Sequence, residues 1–138
     1  MESETFSSNS SNASASAFGW DFQSNAAIML MLKYIERAEK VKVEGKTQDI
    51  EITFSDGMIL MSQAKSIMRV DDYQNVIRNL KDGLKTLNEA AKLSGVEQLV
   101  YITNSPNPFN DKLTISQFSS PTNFVTFSEL HSNAKKKD

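Results

Sequence analysis

The 138-residue chain has no cysteine and a single histidine, His131. The missing thiols exclude disulfides, zinc–thiolate sites and a thiol nucleophile. One histidine excludes a multi-histidine metal site within the chain and gives a Ser-His-Asp triad no support. An excess of charge of one sign is missing too. The formal net charge is −2, so there is no global basic field of the kind that marks many nucleic-acid binders, although a groove can still be basic locally. No apolar run approaches the ~18 residues of a membrane span; "AAIMLMLKYI" is too short and sits in a helical pattern. The start, "MESETFSSNSSNASASA", has early acids and no apolar stretch. It does not read as a secretory signal, and the cytoplasm is the expected location. The length suits one domain with one core.

Residues 1–16 are rich in Ser, Asn and Ala, with too little apolar surface to offset the entropy of ordering. They read as a disordered tail. A single domain is expected over 17–130, and residues 131–138, with Lys135, Lys136 and Lys137, read as a disordered basic tail. The domain opens on a helical pattern with Asp21 as cap and Phe22, Ala26, Met29, Leu30 and Leu32 as its apolar face. "VKVEG" alternates like a short strand. A second helix follows the hairpin, capped by Asp71 or Asp72, with Val76, Ile77, Leu80, Leu84, Leu87 and Leu93 as its stripe and Gly95 as its stop. "QLVYIT" is a continuous apolar run and predicts a buried central strand. "KLTISQF" and "NFVTFSEL" are weaker elements. The order predicts an α/β domain in which an antiparallel hairpin joins a strand that follows a crossover helix.

The stretch "DIEITFSDGMILMSQAKS", residues 49–66, carries the chemistry. A two-residue Asp56-Gly57 turn would set Asp49 on the face opposite Gln63 and Lys65. A three-residue loop, Ser55-Asp56-Gly57, with Gly57 left-handed and a bulge, sets Asp49, Glu51, Gln63 and Lys65 on one face. The other face is then Ile50, Ile52, Phe54, Met58, Leu60, Ser62 and Ala64. The longer loop accounts for both faces and is the expected one. Asp49 and the Gln63 carbonyl suit a hard cation such as Mg²⁺ or Mn²⁺, with the Ala64 backbone carbonyl beside them. Lys65 suits a water or a charged phosphorus centre. On residue types alone, a solvated strand face with Glu51 paired to Lys65 is the simpler account.

An acid on one strand, a hairpin turn, then Gln-x-Lys on the next resembles the variant signature of PD-(D/E)xK nucleases. Here it is Asp49, thirteen intervening residues, then Gln63-Ala64-Lys65. The helix opening "GWDFQSNAAIMLML" resembles the start of the Mrr-like branch and of the nuclease domain of some bacterial anti-phage effectors. The likeness covers roughly residues 18 to 104. It implies a restriction-endonuclease-like fold, a mixed central sheet flanked by helices, and Mg²⁺-dependent cleavage of DNA in defence against phage or mobile elements. It implies Asp49 as metal ligand, Gln63 at the usual acid's position and Lys65 as catalytic lysine. Gln23 takes a helix position that is often Glu in the family, near the metal or bracing its ligands. Glu51 shares the face without a firm counterpart, and Glu44 ends the preceding strand close by. With Gln at both 23 and 63 the site holds less negative charge than the usual one. Relatives often add a sensor, ATPase or second domain, so partner domains or subunits are expected, and a homodimer suits cutting of two strands. The alternative is a catalytically silent domain of the same fold that binds DNA or drives assembly.

Lys65 and Arg69 are the phosphate-binding candidates. Lys33, Arg37, Lys40 and Lys42 read as a solvated face rather than a DNA path, as do Arg78, Lys81 and Lys85. Trp20 and Phe22 read as staple or core groups, and His131 is assigned nothing.

Overall fold

The hairpin folds as its alternation predicts. Strands β2 (Asp49–Phe54) and β3 (Ile59–Lys65) pair antiparallel with Asp49 opposite Gln63 and Ile52 opposite Leu60, which leaves a three-residue loop. Gly57 sits at φ 85°, a left-handed conformation that glycine adopts without a Cβ penalty. The Asp56 side chain accepts from Met58 N at 3.0 Å, and Phe54 N donates to Met58 O at 2.8 Å. This computed structural model describes residues 2–44, 49–69, 71–112 and 115–118. The expected element at 123–130, the basic tail at 131–138 and His131 lie outside them.

Helix α1 (Glu2–Lys33) leads through a turn into β1 (Ala38–Glu44), which pairs antiparallel with β2. Helix α2 (Tyr73–Ala90) then carries the chain to β4 (Val96–Thr103), parallel to β3, before the short α3 (Ile115–Phe118). The result is a four-stranded mixed sheet in the order β1-β2-β3-β4, with α1 and α2 on opposite faces. Among the described residues no helix is long and apolar enough to cross a membrane.

Ala26, Ala27 and Leu30 of α1 cover Ile50, Ile52, Phe54, Leu60 and Ala64, all buried. The spacing of 26, 27 and 30 is that of one helix face. The Tyr34 ring meets Phe54 at 5.6 Å. Arg37 lies 4.2 Å over the Phe54 ring and reaches Glu97 at 2.9 Å and Asp56 at 3.7 Å. On the other face, Leu80 and Phe109 pack with Leu84, Tyr101 and Phe118. Asp72 caps α2, its carboxylate accepting from Asn75 N at 3.3 Å.

Several expectations are corrected. The backbone of α1 is helical back to Glu2, so Asp21 lies inside the helix and is not its cap. No proline or glycine interrupts residues 2–16, and once a helix is nucleated each added residue needs little. Leu32 is exposed, while Ala27 takes the core position. Leu93 is exposed beyond the end of α2. Gly95 does not stop α2, which ends at Ala90; its carbonyl instead accepts from Ile59 N at 2.8 Å at the start of β4. Strand β4 is an edge strand of the described sheet, not a central one. Its apolar run arises because Val100 and Ile102 pack toward α1 and Tyr101 toward α2. None of its residues is fully buried, and Leu99 is exposed, so the strand is half-covered rather than buried. "KLTISQF" contributes the short helix at its end.

Ser62 is a polar residue in the buried face that α1 covers. Ser62 Oγ is buried with no hydrogen-bond partner among the described residues. An orphan buried hydroxyl costs about 1–3 kcal/mol. Ser62→Ala is therefore expected to raise stability by about 1 kcal/mol, read as a higher urea midpoint at unchanged slope. A lower midpoint would mean that the hydroxyl has a partner in the folded chain.

Candidate functional site

The ladder brings one row of polar residues across the sheet. Register places Glu44 opposite Asp49, Asp49 opposite Gln63, and Gln63 beside Tyr101. Paired residues share a face, so this row points to the α2 side, and Lys65, beside Thr103, stands two residues farther along β3 on that side. Phe54 bonds Met58, so hydrogen-bonded pairs alternate from there and Asp49–Gln63 is a non-hydrogen-bonded pair. Their Cα atoms are then about 4.5 Å apart, and their side chains are in close reach. The same parity turns the Ala64 carbonyl toward the β2 side, where Asp49 begins its strand.

The electrostatics of the row are uneven. Asp49 Oδ1 is fully buried and has no hydrogen-bond partner among the described residues. A buried carboxylate oxygen without a donor is costly unless a cation or another donor reaches it. Gln63 is buried as well, and Lys65 is half-buried with no ion pair among the described residues. Glu44 is held by Lys42 at 2.8 Å, and that hydrogen bond and charge, with Glu51 adding to them, raise the Lys42 pKa. Glu51 faces Met61 and Lys42, one level inward from Asp49. It belongs to the Lys42 cluster rather than to a pair with Lys65.

Tyr101 closes the row on the β4 side. Burial, and then the negative charge of Asp82, push its hydroxyl well above the ordinary tyrosine range. It therefore stays protonated across neutral and alkaline pH.

Gln23 takes a bracing position. From α1, on the other side of the sheet, its Nε2 donates to the backbone oxygens of Glu44 at 2.9 Å and Asp49 at 3.2 Å. It ties the ends of β1 and β2 together below the acidic pair. Arg69 is exposed in the loop after β3 and pairs with Asp71 at 3.2 Å. Arg37 is engaged at the far end of the hairpin by Glu97, Asp56 and the Phe54 ring. Arg78 is tied to Asn75.

Two residues that sequence reasoning missed fix the chain just beyond Lys65. The Asn104 side chain accepts from Ile67 N at 2.9 Å and donates to Ile67 O at 2.8 Å. Asn79 of α2 donates to Ser66 O at 3.4 Å. Together they hold the exit of β3 against both β4 and α2. The available signal was an asparagine directly after an apolar strand, in "YITNSP".

The donor set is oxygen-rich and low in charge. Among the described residues no three His, Cys, Asp or Glu side chains gather as a metal site. Asp49, Gln63 and the Ala64 carbonyl still fit Mg²⁺, which binds through one or two carboxylates and keeps several waters. Asp49 Oδ1, buried and without a donor, is the observation behind that fit. No family model matches the chain, and neither does any curated protein or solved structure.

Proposed function

We propose that this chain is a metal-dependent nuclease domain of the PD-(D/E)xK type, cutting double-stranded DNA in a cytoplasmic defence against phage or mobile elements. The observation that supports it most is the close Asp49–Gln63 pair, with its orphan buried Asp49 oxygen, on the same sheet face as Lys65. Asp49 and Gln63, with the Ala64 carbonyl, would hold the cation, and Lys65 would orient the attacking water and offset charge on the phosphate. The cation, when bound, polarises the phosphate and lowers the pKa of water. Gln23 acts through the backbone by fixing the strand ends that carry Glu44 and Asp49. Arg69 offers a charge to the phosphate backbone once released from its exposed pair with Asp71.

The low charge of the donor set favours a second reading, a silent domain of the same fold that binds DNA or drives assembly. Plasmid relaxation in Mg²⁺ or Mn²⁺ separates the two. The nuclease reading expects cutting that EDTA stops and that Asp49→Ala lowers by at least about 100-fold. Cutting that survives Asp49→Ala would belong to another site or a contaminant, and DNA retained without cutting would favour the silent module.

A further inference from the structure

The open edge of the sheet and the helix beside it are unusually apolar for a free surface. Trp20 and Ile28 of α1 are 52% and 51% exposed, and Leu32 and Ile35 are exposed with them. Between α1 and β1 lies a groove of about 260 Å³ lined by Trp20, Ser24, Ala27, Ile28, Met31, Val41 and Val43. Strand β1 has no neighbour on its outer side among the described residues. Hydrogen-bond parity turns the N–H and C=O groups of Val41 and Val43 outward along that edge. A row of unpaired backbone groups next to exposed apolar side chains is a template for another strand.

We infer that the occupant is a second copy of this chain, paired antiparallel through β1 about a two-fold axis at Lys42. The strand is self-complementary in that register. Val41 meets the partner's Val43, and each such pair closes with both of its N–H···O bonds. Lys40 meets the partner's Glu44 on both sides of the axis. The two Lys42 ammonium groups that face each other are each already held by their own Glu44 at 2.8 Å. A register centred on Val41 sets Lys40 against the partner's Lys42 twice, and one centred on Val43 leaves Lys40 without its acid. A two-fold axis through the sheet keeps both α1 helices on the same face. Trp20, Ile28 and Met31 then meet their counterparts over a floor formed by the valines of both copies. The outcome is one continuous sheet that joins the four described strands of each copy, and this inference is independent of the nuclease reading.

The absence of cysteine makes the test clean. Lys42→Cys puts two thiols opposite each other in a non-hydrogen-bonded pair, at a Cα separation of about 4.5 Å, within disulfide range. Mild oxidation is expected to convert nearly all of it to a covalent dimer, while Lys85→Cys, on the exposed side of α2, stays single-chain. Light scattering on the unmodified protein should give twice the chain mass, and Val41→Asp, with its circular dichroism unchanged, should give the single-chain mass. A single-chain mass for the unmodified protein overturns the proposal and leaves the groove to another occupant. A dimer in which Lys85→Cys cross-links and Lys42→Cys does not overturns this edge.

Discussion

Under the proposed nuclease reading, Lys65→Met is expected to stop metal-dependent DNA cleavage while leaving the fold intact. Methionine keeps most of the aliphatic stem and removes only the ammonium group. Lys65 is half-buried at the end of β3, beside Thr103, and makes no ion pair or hydrogen bond among the described residues. Little stability rests on its charge, so the urea midpoint should hardly move. In the proposed reaction the ammonium group is a cation on the face of the Asp49–Gln63 pair and, unlike Lys42, which Glu44 holds, makes no ion pair among the described residues. Removing one preorganised donor to developing charge costs about 10²–10³ in rate. A plasmid-relaxation assay with saturating Mg²⁺ should show at least a 100-fold slower Lys65→Met protein. Lys65→Arg should recover only part of the rate, because a planar fork replaces a compact charge. A Lys65→Met rate within threefold of the parent would sink the assignment of this face as a catalytic centre.

The shared face of Asp49, Gln63 and Lys65 was legible because a strand has a period of two and the loop length fixes the register. Ile50, Ile52 and Phe54 alternate strictly with polar residues, and only a three-residue loop gives both strands a consistent buried face. Helix α2 was legible for a similar reason, since Asp72 is a good cap and Val76, Leu80 and Leu87 recur at helical spacing. The start of α1 was hidden because Ser, Asn and Ala neither stop a helix nor fill a core. The place of β4 was hidden because a run of apolar residues reports cover on two faces and carries no information about lateral neighbours. Ala27 was passed over in favour of Leu32 because the larger side chain is the stronger apolar signal, yet α1 lies so close to the sheet that alanine is what fits.

The less legible part of the site depends on contacts between residues far apart in the chain. The Glu44–Asp49 pairing follows from the β1–β2 register, which carries a shift between Ala38 and Lys40. The engagement of Arg37 with Glu97 depends on which residues the fold makes neighbours. So do the bonds from Asn104 to Ile67 and from Gln23 to two strand ends. A side chain bonding a distant backbone leaves no periodic trace, and sequence patterns reveal periodicity. The resemblance to the nuclease family rested on the residues that periodicity could place, and the bracing shell around them came only from the fold.

Gly83→Ala is expected to destabilise the protein by about 2 kcal/mol, the middle of the range for overpacking a core. The local rule says the opposite, because replacing glycine by alanine in a helix interior gains about 1 kcal/mol in propensity. Tyr101 decides the sign. A Cβ on Gly83 would lie 2.5 Å from Tyr101 Cε2 and 2.8 Å from Cδ2, far inside contact distance. The ring has little room to yield, since Tyr101 packs with Leu80 and Phe109 under α2. Nor is Gly83 remote from the site, because the same Cβ would come within 3.7 Å of the Gln63 Cβ. A ring pushed aside therefore presses on the row that contains Asp49. Tyr101→Phe should give no relief, as the clashing atoms are ring carbons. Tyr101→Leu should give relief, so the Gly83→Ala/Tyr101→Leu double variant should be more stable than the sum of the single changes by about 1–3 kcal/mol. Urea unfolding of the four proteins measures that coupling. If Gly83→Ala proves stabilising and shows no coupling to Tyr101, then α2 does not approach the sheet as closely as this packing requires.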